Sequence, residues 1–172
     1  GFIFRIQHPH GDLISTDEKS ALQMTYVRNN TLHLFALPGL ISSLFLNARR
    51  LRAQELHQLI QLLYPFLRSE YSLRWEPGEE LDQAIERLLA VMEEERLLRR
   101  DGDVWVGAAP QLLEADQLHH LGKTVLQMQK RLFLTIRILV QHGTGALSAK
   151  ELEEQTTQSA QRLSLLHEYN SL

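Results

Sequence analysis

The stretch that most constrains this chain runs from Met24 to Arg52. From Asn29 to Ala48 it carries no formal charge if His33 is neutral, with Arg28 before it and Arg49, Arg50 and Arg52 after it. Its front is polar, with Tyr26, Arg28, Asn29, Asn30 and His33 close together, and its back is Leu, Ile and Phe. Such a segment must be buried in a core, laid on a membrane, or pressed against a partner. Ser15-Thr16-Asp17-Glu18 has capping-box spacing and predicts a helix that starts with Ser15 as N-cap and runs to about Ala36. Leu37-Pro38-Gly39 is expected to break or kink it, because proline lacks an N–H and clashes with the preceding turn. A second short helix from Leu40 to about Asn47 would follow.

Two fates for the apolar half stay open. It is either the internal core of a helical hairpin or an interfacial element that lies on a membrane without spanning it. In the second case Phe35, Leu40, Ile41, Leu44, Phe45 and Leu46 enter the acyl boundary, with Arg49, Arg50 and Arg52 at the headgroups. Spanning is disfavoured because Asn29, Asn30 and His33 crowd one end and Pro38-Gly39 interrupts the middle. Leu22, Tyr26, Asn29, His33 and Leu37 recur at three- and four-residue steps and share one helix face. A polar seam of Tyr26, Arg28, Asn29, Asn30 and His33 is therefore expected to be a hydrogen-bonded network, either locking this helix to its neighbours or bracing a site elsewhere.

Phe2 to Ile6 reads as a short strand, and His8-Pro9-His10-Gly11-Asp12 as a turn in which the histidine pair is weak evidence for a metal. A helix opening at Arg52-Ala53-Gln54-Glu55 runs through Arg68 with Pro65 inside it, and Glu76-Pro77-Gly78 is a turn and a plausible boundary. Residues 1–75 are thus expected to form a helical unit containing the apolar hairpin, and 76–172 a second unit, both parts of one region. In the second unit Glu79 to Arg96 is helical, with Glu93-Glu94-Glu95 as a solvated end. A β-hairpin turns at Asp101-Gly102. A helix followed by such a hairpin resembles the wing of a winged-helix unit. A long helical region follows Pro110 to about Gln141, with His119 and His120 pointing apart. Ser148-Ala149-Lys150-Glu151 is a second capping box opening a short helix, and Ser159 to Tyr169 is a last one. The expected fold is mainly α with minor β: a helical bundle followed by a winged-helix-like helix plus β-hairpin unit.

Charge and motifs narrow the function. Up to Trp75 there are eight Lys+Arg against five Asp+Glu, a balance of +3; beyond it there are ten against sixteen, −6, which together make the net −3 of the chain. An acidic second half argues against a nucleic-acid partner. The absence of cysteine excludes disulfides and thiolate metal sites. No phosphate-binding glycine loop, nucleophile elbow or zinc-protease motif is present, and neither a metal site nor a cofactor is expected. Both ends read as internal to a longer polypeptide.

Three segments carry a family resemblance. Met24-Thr25-Tyr26-Val27-Arg28-Asn29-Asn30, followed by His33 and Leu37-Pro38, resembles a "TYxRNN…H…LP" segment of bacterial membrane-bound glycerol-3-phosphate acyltransferases. Leu63-Tyr64-Pro65-Phe66-Leu67-Arg68-Ser69-Glu70, with Leu73-Arg74-Trp75, resembles the "LYPxLxxELFLRW" segment that follows, and Ala160 to His167 resembles "AQRLSxLH" near that family's C-terminus. The resemblance implies a parent enzyme that transfers an acyl group from acyl-CoA or acyl carrier protein to the sn-1 hydroxyl of glycerol 3-phosphate. It also implies work at the cytoplasmic face of the bacterial inner membrane, in phospholipid synthesis. That family's His-x-x-x-x-Asp pair of general base and orienting acid is missing here: none of the eight histidines has an aspartate five positions later. No catalytic or substrate-binding residue is therefore expected in this chain. Its expected role is to brace the catalytic domain of the same polypeptide, to seat it on the membrane surface, and to contribute to a homodimer. A different class of role, a winged-helix-like protein-interaction module without enzymatic work, is the alternative.

Overall fold

The computed structural model describes all residues except Gly1, Phe2, His8, His10, Ser72, Thr144, Ser171 and Leu172, and all side chains of the described residues except those of Arg28, Asn29, Asn30, Ser164 and residues 166–170. It is mainly helical with small antiparallel sheets. A short hairpin of β1 (Phe4–Ile6) and β2 (Leu13–Ser15) precedes α1 (Glu18–Leu44). Ser15 is taken up by β2, opposite Phe4, so the N-cap falls on Asp17 instead. Its carboxylate accepts from the Ser20 N–H at 2.7 Å and from the Ser20 hydroxyl at 3.0 Å. The first of these bonds, supported by the second, holds the Asp17 carboxyl below the usual carboxylate range.

The expected break at Pro38 does not occur: α1 continues through it to Leu44. The bond Pro38 cannot donate would run to the carbonyl of Leu34, an exposed residue, where water can satisfy it. Beyond Pro38 the Ser42 hydroxyl donates to the Pro38 carbonyl at 2.8 Å, and the Ser43 hydroxyl to that of Leu40 at 2.7 Å. These buried hydroxyls are thereby satisfied inside their own helix.

After α1 come β3 (Arg50–Arg52), α2 (Ala53–Glu70), α3 (Glu79–Glu94), β4 (Leu98–Asp101) and β5 (Val104–Gly107). The hairpin β4–β5 is the one expected from sequence. Gly102, at φ +65°, opens the two-residue connection between paired Asp101 and Val104, where a type II′ turn requires glycine. The strand β3 adds to its other side, so the order is β3-β5-β4, all antiparallel. Helix, strand, two helices and a hairpin, with the first strand pairing the last, make a winged-helix-like unit. It draws on residues from both sides of the turn at Glu76-Pro77-Gly78. Leu51 and Trp105 are paired on the inner face of the sheet, and both are buried. One core joins Leu37, Leu40 and Ile41 of α1, Leu56, Ile60, Tyr64 and Leu67 of α2, and Leu81, Ile85 and Leu89 of α3.

The second family-like segment clips this unit together. The fully buried Tyr64 donates its hydroxyl to the Trp75 carbonyl at 2.7 Å, and burial raises its pKa above the usual tyrosine value. Arg68 pairs with Glu76, and Arg131 of α4 (Leu113–His142) with Glu70. The helix α5 (Ala149–Asn170) is continuous, where the sequence suggested two pieces. Its start is the expected capping box: the Ser148 N–H and hydroxyl donate to the Glu151 carboxylate at 2.8 and 2.7 Å. These bonds lower the Glu151 pKa.

The closest helix contact is between α1 and α4. A Cβ on Gly122 would lie 3.1 Å from the backbone N and Cα of Ser43, and one on Gly39 would lie 3.1 Å from the Leu121 carbonyl oxygen and 2.3 Å from the Thr124 hydroxyl. Gln129 crosses the same contact to donate to the Ser43 hydroxyl at 2.7 Å. Gly122→Val is expected to destabilise the chain by about 1–3 kcal/mol, as overpacking does, despite the better helix propensity of valine. Urea unfolding measures this, with the exposed neighbour Lys123→Val as a control that stays near wild type.

Candidate functional site

The sequence singled out two groups of residues, and the structure separates them along α1. In the apolar group Leu40 and Ile41 are fully buried, Phe45 is buried, and Leu44 and Leu46 are half-buried. Phe35 is exposed, as are Arg49, Arg50 and Arg52. Of the two fates left open, Leu40, Ile41 and Phe45 take the core one within this chain. Their side chains belong to one core with residues of α2, α3, α4 and the sheet, and bringing them to a lipid layer would open that core. Among the described residues no helix is long and apolar enough to cross a membrane. The arginines sit on or beside the sheet. Arg50 and Arg52 alternate with buried Leu51 and so face outward, and Arg50 pairs with Asp101 at 3.0 Å. The backbone carbonyl of Arg49 accepts from the Gly107 N–H at 2.9 Å.

In the polar group Tyr26 and His33 are exposed, and neither side chain makes a hydrogen bond to another described residue. The side chains of Arg28, Asn29 and Asn30 lie outside the described residues. Of the seam, Tyr26 and His33 are therefore not buried within the described residues, whereas Ala36 and Leu37 further along α1 are. The hydroxyls of Thr25 and Thr31, beside it, donate to the carbonyls of Ala21 and Val27 one turn earlier.

Elsewhere the possible chemistry is sparse. A surface cavity of about 450 Å³ is lined by Phe45, Arg49, Pro110, Asp116 and His119, among others, with one cation against one carboxylate and no nucleophile–base pair. A larger, more open groove of about 720 Å³ joins Phe35, Leu97, Leu113 and Leu121. His119 and His120 have ring centroids 6.1 Å apart. Among the described residues no three His, Asp or Glu side chains converge as metal ligands do. Glu93, Glu94 and Glu95 are exposed, and Glu93 accepts the Arg100 N–H at 3.1 Å, joining the end of α3 to β4. His8 and His10 lie outside the described residues. The outward side of α3, with Glu79, Glu80, Glu86 and Glu93, is acidic. In a winged-helix-like unit that side would have to face a nucleic acid, and its charge repels one.

Fold and surface thus define a helical region with a winged-helix-like centre, and no catalytic constellation is assembled from its described side chains. The chain belongs to the family described as the glycerol-3-phosphate acyltransferase C-terminal region, which matches residues 1–172. It is 42% identical over 161 residues to proteins named glycerol-3-phosphate acyltransferase from Pseudomonas entomophila (strain L48) and Pseudomonas putida (strain GB-1), and 40% identical to one from Ectopseudomonas mendocina (strain ymp). In each case the match covers 94% of this chain and 19% of the relative, so the chain spans about a fifth of the length of these curated relatives. No solved structure matches.

If Leu40 is core, Leu40→Ala should cost about 2–5 kcal/mol in the absence of any lipid. Urea unfolding of the purified chain measures this. A midpoint unchanged from wild type would put the stretch back on the surface.

Proposed function

We propose that this chain is the non-catalytic C-terminal region of a glycerol-3-phosphate acyltransferase. Its parent transfers an acyl group from acyl-CoA or acyl carrier protein to the sn-1 hydroxyl of glycerol 3-phosphate. The observation that carries this reading is the match over residues 1–172 to the C-terminal family, taken with the names of the relatives. The missing His-x-x-x-x-Asp pair supports placing the chemistry in the other part of the parent. The parent would act at the cytoplasmic face of the bacterial inner membrane, where acyl donors from the cytosol meet the growing lipid.

The region's own work is structural. Its buried core and stapled helices give a rigid body on which the catalytic part rests. The winged-helix-like unit belongs to that body, since its strands and helices share one core with α1. The interaction-module alternative is thereby folded into the enzyme reading: the module's partner is the enzyme itself. Dimerisation through this region is the competing role, and chain-to-chain crosslinks would report it.

The isolated chain is expected to show no acyltransferase activity. Incubated with glycerol 3-phosphate and a long-chain acyl-CoA, it should yield no lysophosphatidate above a no-protein blank, whereas the full-length parent should. Turnover by the isolated chain would contradict the proposal.

A further inference from the structure

One side of α1 changes character along its length. Leu22, Tyr26, His33, Leu37 and Leu40 follow one another at helical steps and lie along the same side. Leu37 and Leu40 are 0% exposed, yet Leu22 is 72% and Tyr26 71% exposed, and His33 is exposed as well. The stripe that faces the core at one end of the helix is bare at the other. The hairpin β1–β2 in front of it is exposed along both strands, Phe4, Ile6 and Ile14 included. An amphipathic helix draws most of its stability from the face it packs, and among the described residues Leu22, Tyr26 and His33 have no cover on that face.

We infer that the part of the same polypeptide preceding residue 1 packs on this stripe and continues the core of the region beyond Ala36. This rests on the acyltransferase reading only in taking the parent to be a longer chain of that family. Three observations select this occupant. The relatives are about five times longer than the match, and the matching family is a C-terminal one, so much of the parent precedes these residues. The hairpin and the first half of α1 are the elements that directly follow that missing part. The stripe is also chemically mixed: a Tyr hydroxyl and an imidazole stand among apolar groups, and buried polar tips of this kind need hydrogen-bond partners. A protein surface supplies such partners in fixed places and an acyl layer does not. The segment has no basic cluster to draw it to anionic lipid either, since from Glu18 to Ala36 its only formal charges are Glu18, Lys19 and Arg28.

The test places a photo-crosslinking phenylalanine analogue at position 26 of this region in the purified full-length parent and maps the products by mass spectrometry. The expected result is crosslinks within one polypeptide, to peptides preceding this region. The same probe at Leu62, exposed on α2, should not reach those peptides. Crosslinks from chain to chain would make the stripe a homodimer surface and overturn the inference. Lipid adducts, or no crosslink beyond residues 1–172, would overturn it too. Acyltransferase activity of the wild-type parent is assayed in parallel. An inactive parent with the expected crosslinks removes the enzymatic reading alone, and an active parent with a bare position 26 removes the docking alone.

Discussion

Two glycines set the distance between the longest helices, and the rest of the region depends on that distance. At Gly39 and Gly122 the helices α1 and α4 touch backbone against side chain and backbone against backbone. There is no room there for a Cβ without displacement. This close approach brings Gln129 to the Ser43 hydroxyl and closes the core over Val125 and Met128. It also places Phe45 and Leu118 on either side of Gly107, at the end of the sheet, where a Cβ would lie 3.3 Å from Leu118 and 3.6 Å from Phe45. The sheet, α2 and α3 are then assembled around the C-terminal half of α1 as a winged-helix-like unit.

The apolar stretch is consequently a structural element of the protein interior. Its length and lack of charge suit a membrane surface as well as a core, and only its neighbours decide between them. Here the stretch shares one core with α4, α2, α3 and the inner face of the sheet. Leu22, Tyr26 and His33 on the front of the same helix are exposed among the described residues, and sustained burial begins at Ala36. With the docking proposed above, a region built this way is rigid where it packs on itself and offers its bare stripe to the rest of its polypeptide. That suits a brace better than an independent module.

Much of this was legible in the residues. Ser148 and Glu151 form the capping box their spacing implies, Asp101 and Gly102 mark the hairpin, and Pro65 lies inside α2 as read. What was missed was decided by tertiary contacts or by competition between local signals. The strand Arg50–Arg52 is three residues long and was not expected, Arg52 being read as a helix start; it becomes a strand only because β5 is there to pair with it. The cap moved from Ser15 to Asp17 because Ser15 had a strand partner. The break expected at Pro38 is absent because the orphaned carbonyl belongs to an exposed turn, which cannot be known before the helix is placed. The seam of Tyr26 and His33 was correctly seen as one helix face, but periodicity gives the face and not what covers it. The catalytic pair was absent from the sequence from the outset, and the structure assembles no substitute from its described residues.

The central claim is that the core of this chain ends part-way along a continuous helix. Amide hydrogen exchange on the isolated 172-residue chain tests it most directly, because exchange reports local opening residue by residue. Amides from Leu37 to Leu44 should be among the slowest in the chain, exchanging together with those of α2, and amides from Ala21 to Thr31 should exchange orders of magnitude faster. Uniform slow exchange along all of α1 would contradict the account, since it would mean that the chain covers the whole stripe by itself.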